Sequence, residues 1–216
     1  FRRVLFRSCR AGVFAGDSGY AMADIWLDMD DAPVVATCLC ATGAAAQTPI
    51  AATAPDGSLT LKAVKLTAPL KLDGQLDEPL YTTFAPATNF IQMEPTPGAR
   101  ATEQTEVWVA FDEANLYLTV RCWDSKPPSA WVLDEMRRDS GNIPRYENVA
   151  FFFDTFHDKR TALLFEITPL GAIYDAQAAH LRPGSADWNP LWRREVGRFE
   201  GGWTAEMAFP FKSLRY

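Results

Sequence analysis

ENVAFFFDTFHDKRTALLFEITPLGAIYD, residues 147–175, decides the fold. It contains two apolar runs, 149–153 and 162–167, joined by a polar connector at 154–160, and a third run after Pro169-Leu170-Gly171. Both faces of the first two runs are apolar near their middles, so they predict central strands of a sheet buried on both sides. The connector, Asp154 to Arg160, is charged and turn-like. The expectation is the core hairpin of an all-β fold, an antiparallel, jelly-roll-like β-sandwich with short helical turns.

Outward from this hairpin, short apolar runs recur between turn residues at about the eight-to-twelve-residue spacing of a sandwich. On one side, TEVWVAF at 105–111 and LYLTVRCW at 116–123 alternate in face and flank Asp112-Glu113-Ala114-Asn115, which predicts a second hairpin. On the other, 191–199 and 203–209 flank Glu200-Gly201-Gly202 and predict a third. Asp73-Gly74 is a turn signal, and Asp77-Glu78-Pro79 marks the start of one helical turn. A further helical turn is expected at 210–214, and a chain stopping there suggests a fragment of a longer protein.

Residues 1–60 differ in texture from residues 61–216 and read as a leader outside the domain. FRRVLFRS at 1–8 resembles a translated adapter rather than a protein start. The small-residue run at 33–46 ends in Ala44-Ala45-Ala46, which suits a signal-peptide core and cleavage site, although Asp24, Asp28, Asp30 and Asp31 stand where basic residues belong. Export is therefore expected, with a periplasmic or outer-membrane-associated location. Residues 47–59 read as a flexible lead-in. Of the four cysteines, Cys122 alone falls in the domain, on an apolar strand that suits a buried thiol. AGDSGY at 15–20 has no histidine before Ser18 and so cannot form a protease triad of that kind.

The net charge of -6, without a basic stripe, argues against nucleic-acid binding. No apolar run approaches the roughly 20 residues of a membrane-spanning helix.

LDGQLDEPLY, TEVWVAFDEANLYLTVRCWDS, RRDS, NVAFFFDTFHDKR, FEITPLGAIYDA and GWTAEMAFPFKSLRY, in this order and spacing, resemble the carbohydrate-binding family 9-like domain. More narrowly, they resemble the version at the N-terminus of bacterial proteins with a C-terminal outer-membrane barrel. The resemblance covers residues 63–216 and implies a β-sandwich that stacks aromatic rings on sugars, calcium as a structural ion, and a membrane barrel as the neighbouring region. Tyr81 departs from it, standing where tryptophan is common.

The candidate sugar platform is Trp123, Trp131, Trp188 and Trp192, with Arg137, Arg138 and Asp139 as the polar cluster beside it. Trp131 and Trp188 lie in predicted loops, where a ring has less core to fill. The duller readings are packing under a long loop for the indoles and surface ion pairs with Asp134 or Glu135 for the arginines. Trp108 and Trp203, on strands, are expected in the core. Asp112, Asp124, Asp154, Asp158 and Asp175 stand at strand ends, where calcium finds oxygens, although aspartate at turns also serves backbone amides. Glu166, Asp175 and Glu206 read equally as strand-face charges or as the paired carboxylates of a glycosidase. His157 and His180 lack zinc-ligand spacing. The leading expectation is a non-catalytic saccharide-binding module. The alternatives are part of a glycoside hydrolase and a structural module of a barrel protein.

Overall fold

The computed structural model of the protein describes residues 9–14, 20–28, 48–49, 51–53, 59–90, 96, 99–131, 135–156, 160–179, 182–183, 185 and 187–214. Its strands are β1 (Cys9–Phe14), β2 (Tyr20–Asp28), β3 (Thr48–Pro49), β4 (Ala51–Thr53), β5 (Leu59–Lys62), β6 (Val64–Lys65) and β7 (Phe84–Ala85). They continue with β8 (Thr105–Phe111), β9 (Asn115–Trp123), β10 (Val149–Phe153), β11 (Thr161–Ile167), β12 (Ile173–Ala179), β13 (Arg182–Pro183), β14 (Arg193–Phe199) and β15 (Gly202–Pro210). Helix α1 is one short piece, Pro79–Thr83, and single 3-10 turns cover Pro128–Ala130, Ile143–Arg145 and Phe211–Leu214.

Two sheets form the sandwich. One has the order β14-β15-β9-β8-β6, antiparallel except for the parallel β6–β8 pair, and the other the order β10-β11-β12-β13, antiparallel throughout. The three expected hairpins are present, and β8, β9 and β10 keep nearly the bounds their apolar patterns predict. Between the sheets, Val107, Val109, Leu118 and Val120 meet Phe151, Phe153, Leu163 and Phe165, with Trp203, Met207 and Phe209 from β15. Phe165 makes edge-to-face contact with Phe153 and Phe209, at centroid distances of 5.6 and 4.7 Å, the geometry ring quadrupoles favour. Of the predicted central pair, β11 has a partner on both sides, while β10 ends its ladder; every β10 side chain is buried nonetheless.

The outer face of the five-stranded sheet is covered by a strap, residues 66–85, that carries the LDGQLDEPLY motif. Glu206, on β15, holds it. Its Oε2 accepts from the Asp73 and Gly74 amides at 2.9 and 2.8 Å, and its Oε1 from the Tyr81 hydroxyl at 2.7 Å. Thr204 Oγ1 donates to the Gly74 carbonyl at 2.6 Å, and Trp108 Nε1 to the Phe84 carbonyl at 2.9 Å. Tyr81 thus packs beneath the strap a ring whose hydroxyl reaches a buried carboxylate. Tyr81→Phe leaves one carboxylate oxygen short of a donor, and a loss of about 2 kcal/mol in urea unfolding is expected. An unchanged midpoint would show that the strap does not depend on this bond.

Among residues 1–60, β1 and β2 pair antiparallel and β1 runs beside β10, a strand pair that composition did not announce. The signal-like run at 33–46 lies outside the described residues.

Candidate functional site

The four candidate indoles do not form one platform. Trp131 is 9% exposed and Trp192 8% exposed, and both belong to the inter-sheet core. Trp192 lies stacked on Phe209 with centroids 5.3 Å apart and donates its Nε1 proton to Asp175 Oδ2 at 3.2 Å. Trp131 carries the Arg198 guanidinium 5.6 Å above its ring, and its own Nε1 is sealed without an acceptor. Neither presents an open face to a sugar. Trp188 is half-buried, edge-on to Phe165 at 5.5 Å. Trp123, 37% exposed, is the one of the four with a substantial open surface. Trp108 and Trp203 are in the core as expected.

Loop position misleads because of what the loops cross. Asp139 donates its amide to the Ile173 carbonyl of β12, and Arg198 of β14 sits over Trp131. Asp139 thus reaches β12 and Trp131 meets Arg198 of β14, and the tryptophan packs into the inter-sheet core.

The polar cluster divides in two. Arg137 forms a two-pronged pair with Glu135, Nε to Oε1 at 3.1 Å and Nη2 to Oε2 at 2.9 Å, and Ser140 Oγ donates to the same carboxylate at 2.6 Å. These contacts hold the Glu135 carboxyl well below the usual carboxylate range. Arg138 faces β12, where Nη2 donates to Asp175 Oδ1 and Oδ2 at 3.0 and 2.7 Å and Nε donates to Asp139 Oδ2 at 3.2 Å. Asp139 adopts φ +57°, in the left-handed region, and its Oδ1 accepts the Asp175 amide at 3.2 Å. Asp175 is wholly buried, and burial pushes its carboxyl up while Trp192 and Arg138 pull it down. The cluster so far is a brace tying the crossing segment to β12.

On the other face of β12 lies a group without such a brace. Cross-strand register puts Ala150, Glu166 and Tyr174 on one rung, with Phe152, Ala172 and Ala176 in the same buried cluster. Glu166 is 5% exposed, makes no hydrogen bond, and has Oε2 sealed from solvent. Burial alone pushes its carboxyl up to about 7. The alternation of β11 signals that Glu166 shares a face with Leu164, but nothing in it signals the cover. Glu78 also has sealed, unpartnered oxygens. It sits on the strap, only half-buried, and the charge of Glu206 adds to the upward push from burial.

The strand-end aspartates are engaged as follows. Asp112 serves the Ala114 and Asn115 amides and the Tyr117 hydroxyl, Asp124 the Lys126 amide, and Asp175 the Arg138 brace. Among the described residues no group of three or more His, Cys, Asp or Glu is arranged to hold a metal. His157, Asp158 and His180 lie outside them.

Fold and site together define a two-sheet β-sandwich with an orphaned carboxyl on one outer face. No family model matches the chain, and no curated protein does. Among solved structures it is similar to a carbohydrate binding module family 9 (CBM9) from Caldicellulosiruptor kristjanssonii in complex with cellotriose. That match has 13% identity, covers 68% of this chain and 66% of that chain, just under two thirds of its length, and has a TM-score of 0.44. It is also similar to a CBM9 from the same organism in complex with glucose, at 14% identity, 68% and 67% coverage and a TM-score of 0.46.

Proposed function

We propose that the domain binds a saccharide without turning it over, on the outer face of β10-β11-β12 around Glu166. The observation that carries this is the buried Glu166 carboxyl with no hydrogen-bond partner. An unmade hydrogen bond there costs on the order of 1–3 kcal/mol, which a ligand hydroxyl would return. Ala150 and Tyr174 flank it on the same rung, and Ile143 belongs to the same buried cluster, so the ligand hydroxyl would have to reach the carboxyl beneath this apolar cover. A carboxyl near neutrality both donates and accepts, which suits vicinal hydroxyls.

A hydrolase would need a second carboxylate facing the first. Both Asp139 oxygens are already engaged, and Asp175 points to the opposite face. Binding is therefore the better reading than hydrolysis. The cleavage-site pattern at 44–46 supports export, and the resemblance of residues 63–216 supports a place ahead of a membrane barrel in a longer protein.

Calorimetry against cellotriose, glucose, xylotriose and mannotriose tests the site. Glu166→Gln should keep affinity within about threefold, and Glu166→Leu should weaken it at least tenfold. Equal binding by wild type and Glu166→Leu would remove the site from this face, and release of reducing sugar from any of these probes would revive the hydrolase reading.

A further inference from the structure

The segment at 140–147 lies on the outer face of β10-β11-β12 and is built unlike the rest of the domain. Of residues 141–146 only Ile143 is buried, at 0% exposure, while Gly141, Asn142, Pro144 and Arg145 are exposed and Tyr146 is half-buried. Ile143 joins Ala150, Phe152, Leu164 and Tyr174 in the apolar cluster on the Glu166 face, and its 3-10 turn packs against β11 itself. Among the described residues, Ile143 is the one member of that cluster from outside the strands and the β11–β12 turn.

The hydrogen bonds of residues 141–146 close on the segment. The Ile143, Arg145 and Tyr146 amides donate to the Ser140, Asn142 and Ile143 carbonyls at 3.0, 2.9 and 3.1 Å. Asn148 Nδ2 donates to the Ile143 and Tyr146 carbonyls at 3.3 and 2.8 Å, and the Asn142 amide to Ser140 Oγ at 3.4 Å. The Ile143 side chain is therefore what ties the turn to the sheet. The fixed points lie at either end. Asp139, at φ +57°, is bonded to Ile173 and Asp175 of β12, and Asn148 is buried where β10 begins. Between them Gly141 has open space around its Cα, so the backbone is free to turn there.

Two opposed effects act on this turn. Lying down, it hides an isoleucine from water, which favours closure. It also helps keep water from Glu166, whose carboxyl has no partner, which favours opening. Ionisation strengthens the second effect, because a charge gains more from water than a neutral acid. No neighbour offsets it. Tyr174 of β12 is held in its neutral form by burial, β10 presents Ala150 and Phe152, and both Asp139 oxygens are engaged. Asp175 points to the opposite face, Arg145 is exposed, and the charge of Glu147 acts on Cys122. Burial is accordingly the one cause that shifts Glu166.

We infer that residues 140–147 are a lid on the Glu166 carboxyl, latched by the Ile143 side chain and hinged at Ser140-Gly141 and before Asn148, and that a ligand enters by lifting it. What enters rests on the saccharide reading above, whereas the lifting itself does not. The turn moves as a unit, because its hydrogen bonds are its own. Opening uncovers Glu166, Ala150 and Tyr174 together, and ligand affinity is lowered by the fraction of closed protein. Ionisation of Glu166 favours the open form, so access widens as pH rises from 5 to 8.

The test is iodoacetamide labelling of the whole chain carrying Ala150→Cys, followed site by site by mass spectrometry without any saccharide. Cys122, in the inter-sheet core, reports opening of the whole domain. The introduced thiol should react at least tenfold faster than Cys122. Ile143→Ala should raise its rate about tenfold further relative to Cys122, and the milder Ile143→Val by a smaller factor in the same direction. From pH 5 to 8 its rate, corrected for thiolate fraction, should rise more than tenfold and stay ahead of Cys122, and Glu166→Gln should abolish the rise. Equal labelling of the two thiols, or a ratio that neither Ile143 variant changes, overturns the lid. A pH rise that survives Glu166→Gln overturns the carboxyl's part in opening it. Failure of the saccharide reading appears elsewhere, as equal trisaccharide affinity in Glu166→Leu and wild type, with the labelling rates unaffected.

Discussion

Gly74→Ala is expected to destabilise the domain by roughly 3 kcal/mol or more, against about 1 kcal/mol for Gly171→Ala. Both glycines sit in the left-handed region, at φ +77° and +79°, so both substitutions meet the same backbone penalty. They differ in surroundings. A Cβ on Gly74 would come within 2.6 Å of the Gly197 nitrogen and of the Val196 carbonyl carbon, both backbone atoms of β14, whereas one on Gly171 meets only the Val196 Cγ2 methyl at 3.6 Å. Backbone in a paired strand cannot turn aside as a side chain can. The strap must lift, and with it go the Gly74 amide bond to Glu206 and the Thr204 bond to the Gly74 carbonyl. Chemical unfolding of the three proteins side by side checks this. Equal losses for the two variants would show that strap and sheet do not need their close approach.

This contact also shows what the sequence discloses. Asp73-Gly74 is readable as a turn, because the residue types state the backbone conformation locally. That the turn is pressed against Gly197, over a hundred positions later, is not readable from either glycine. The same division runs through the domain. The alternation of 105–111 and 116–123 and the turn chemistry of Asp112 fix β8 and β9, since period and turn are local properties. Trp131 and Trp192 defeat local reasoning because whether a ring outside a strand centre has core beneath it is decided by packing between distant segments. The two arginines at 137 and 138 look alike in sequence, yet one closes on its own segment through Glu135 and the other reaches Asp175 on β12.

Stability should fall as pH rises between about 4.5 and 7, by on the order of 3 kcal/mol, because of Glu166. Burial raises its carboxyl from 4.5 in the open chain to about 7 in the folded protein. Below 4.5 the group is protonated in both states, and its contribution is at its most favourable. Within the window the unfolded chain has released the proton while the folded protein still holds it, so folding takes up a proton and each rise in pH opposes it. Above about 7 both states are ionised, and the folded protein carries a buried charge without a partner. Asp175 and Glu206 are also raised by burial and act in the same direction, but each has donors that moderate the push. Glu166 has none, so it should dominate the slope near neutrality. Urea unfolding of wild type and Glu166→Gln across pH 5 to 8 separates the contributions. The glutamine protein should lose most of the decline, while a wild-type profile that is flat, or one that survives the substitution, would mean the carboxyl is solvated in solution. A saccharide hydroxyl seated on Glu166 would supply the missing partner, so the decline should shrink at saturating ligand, linking the stability profile to the proposed site.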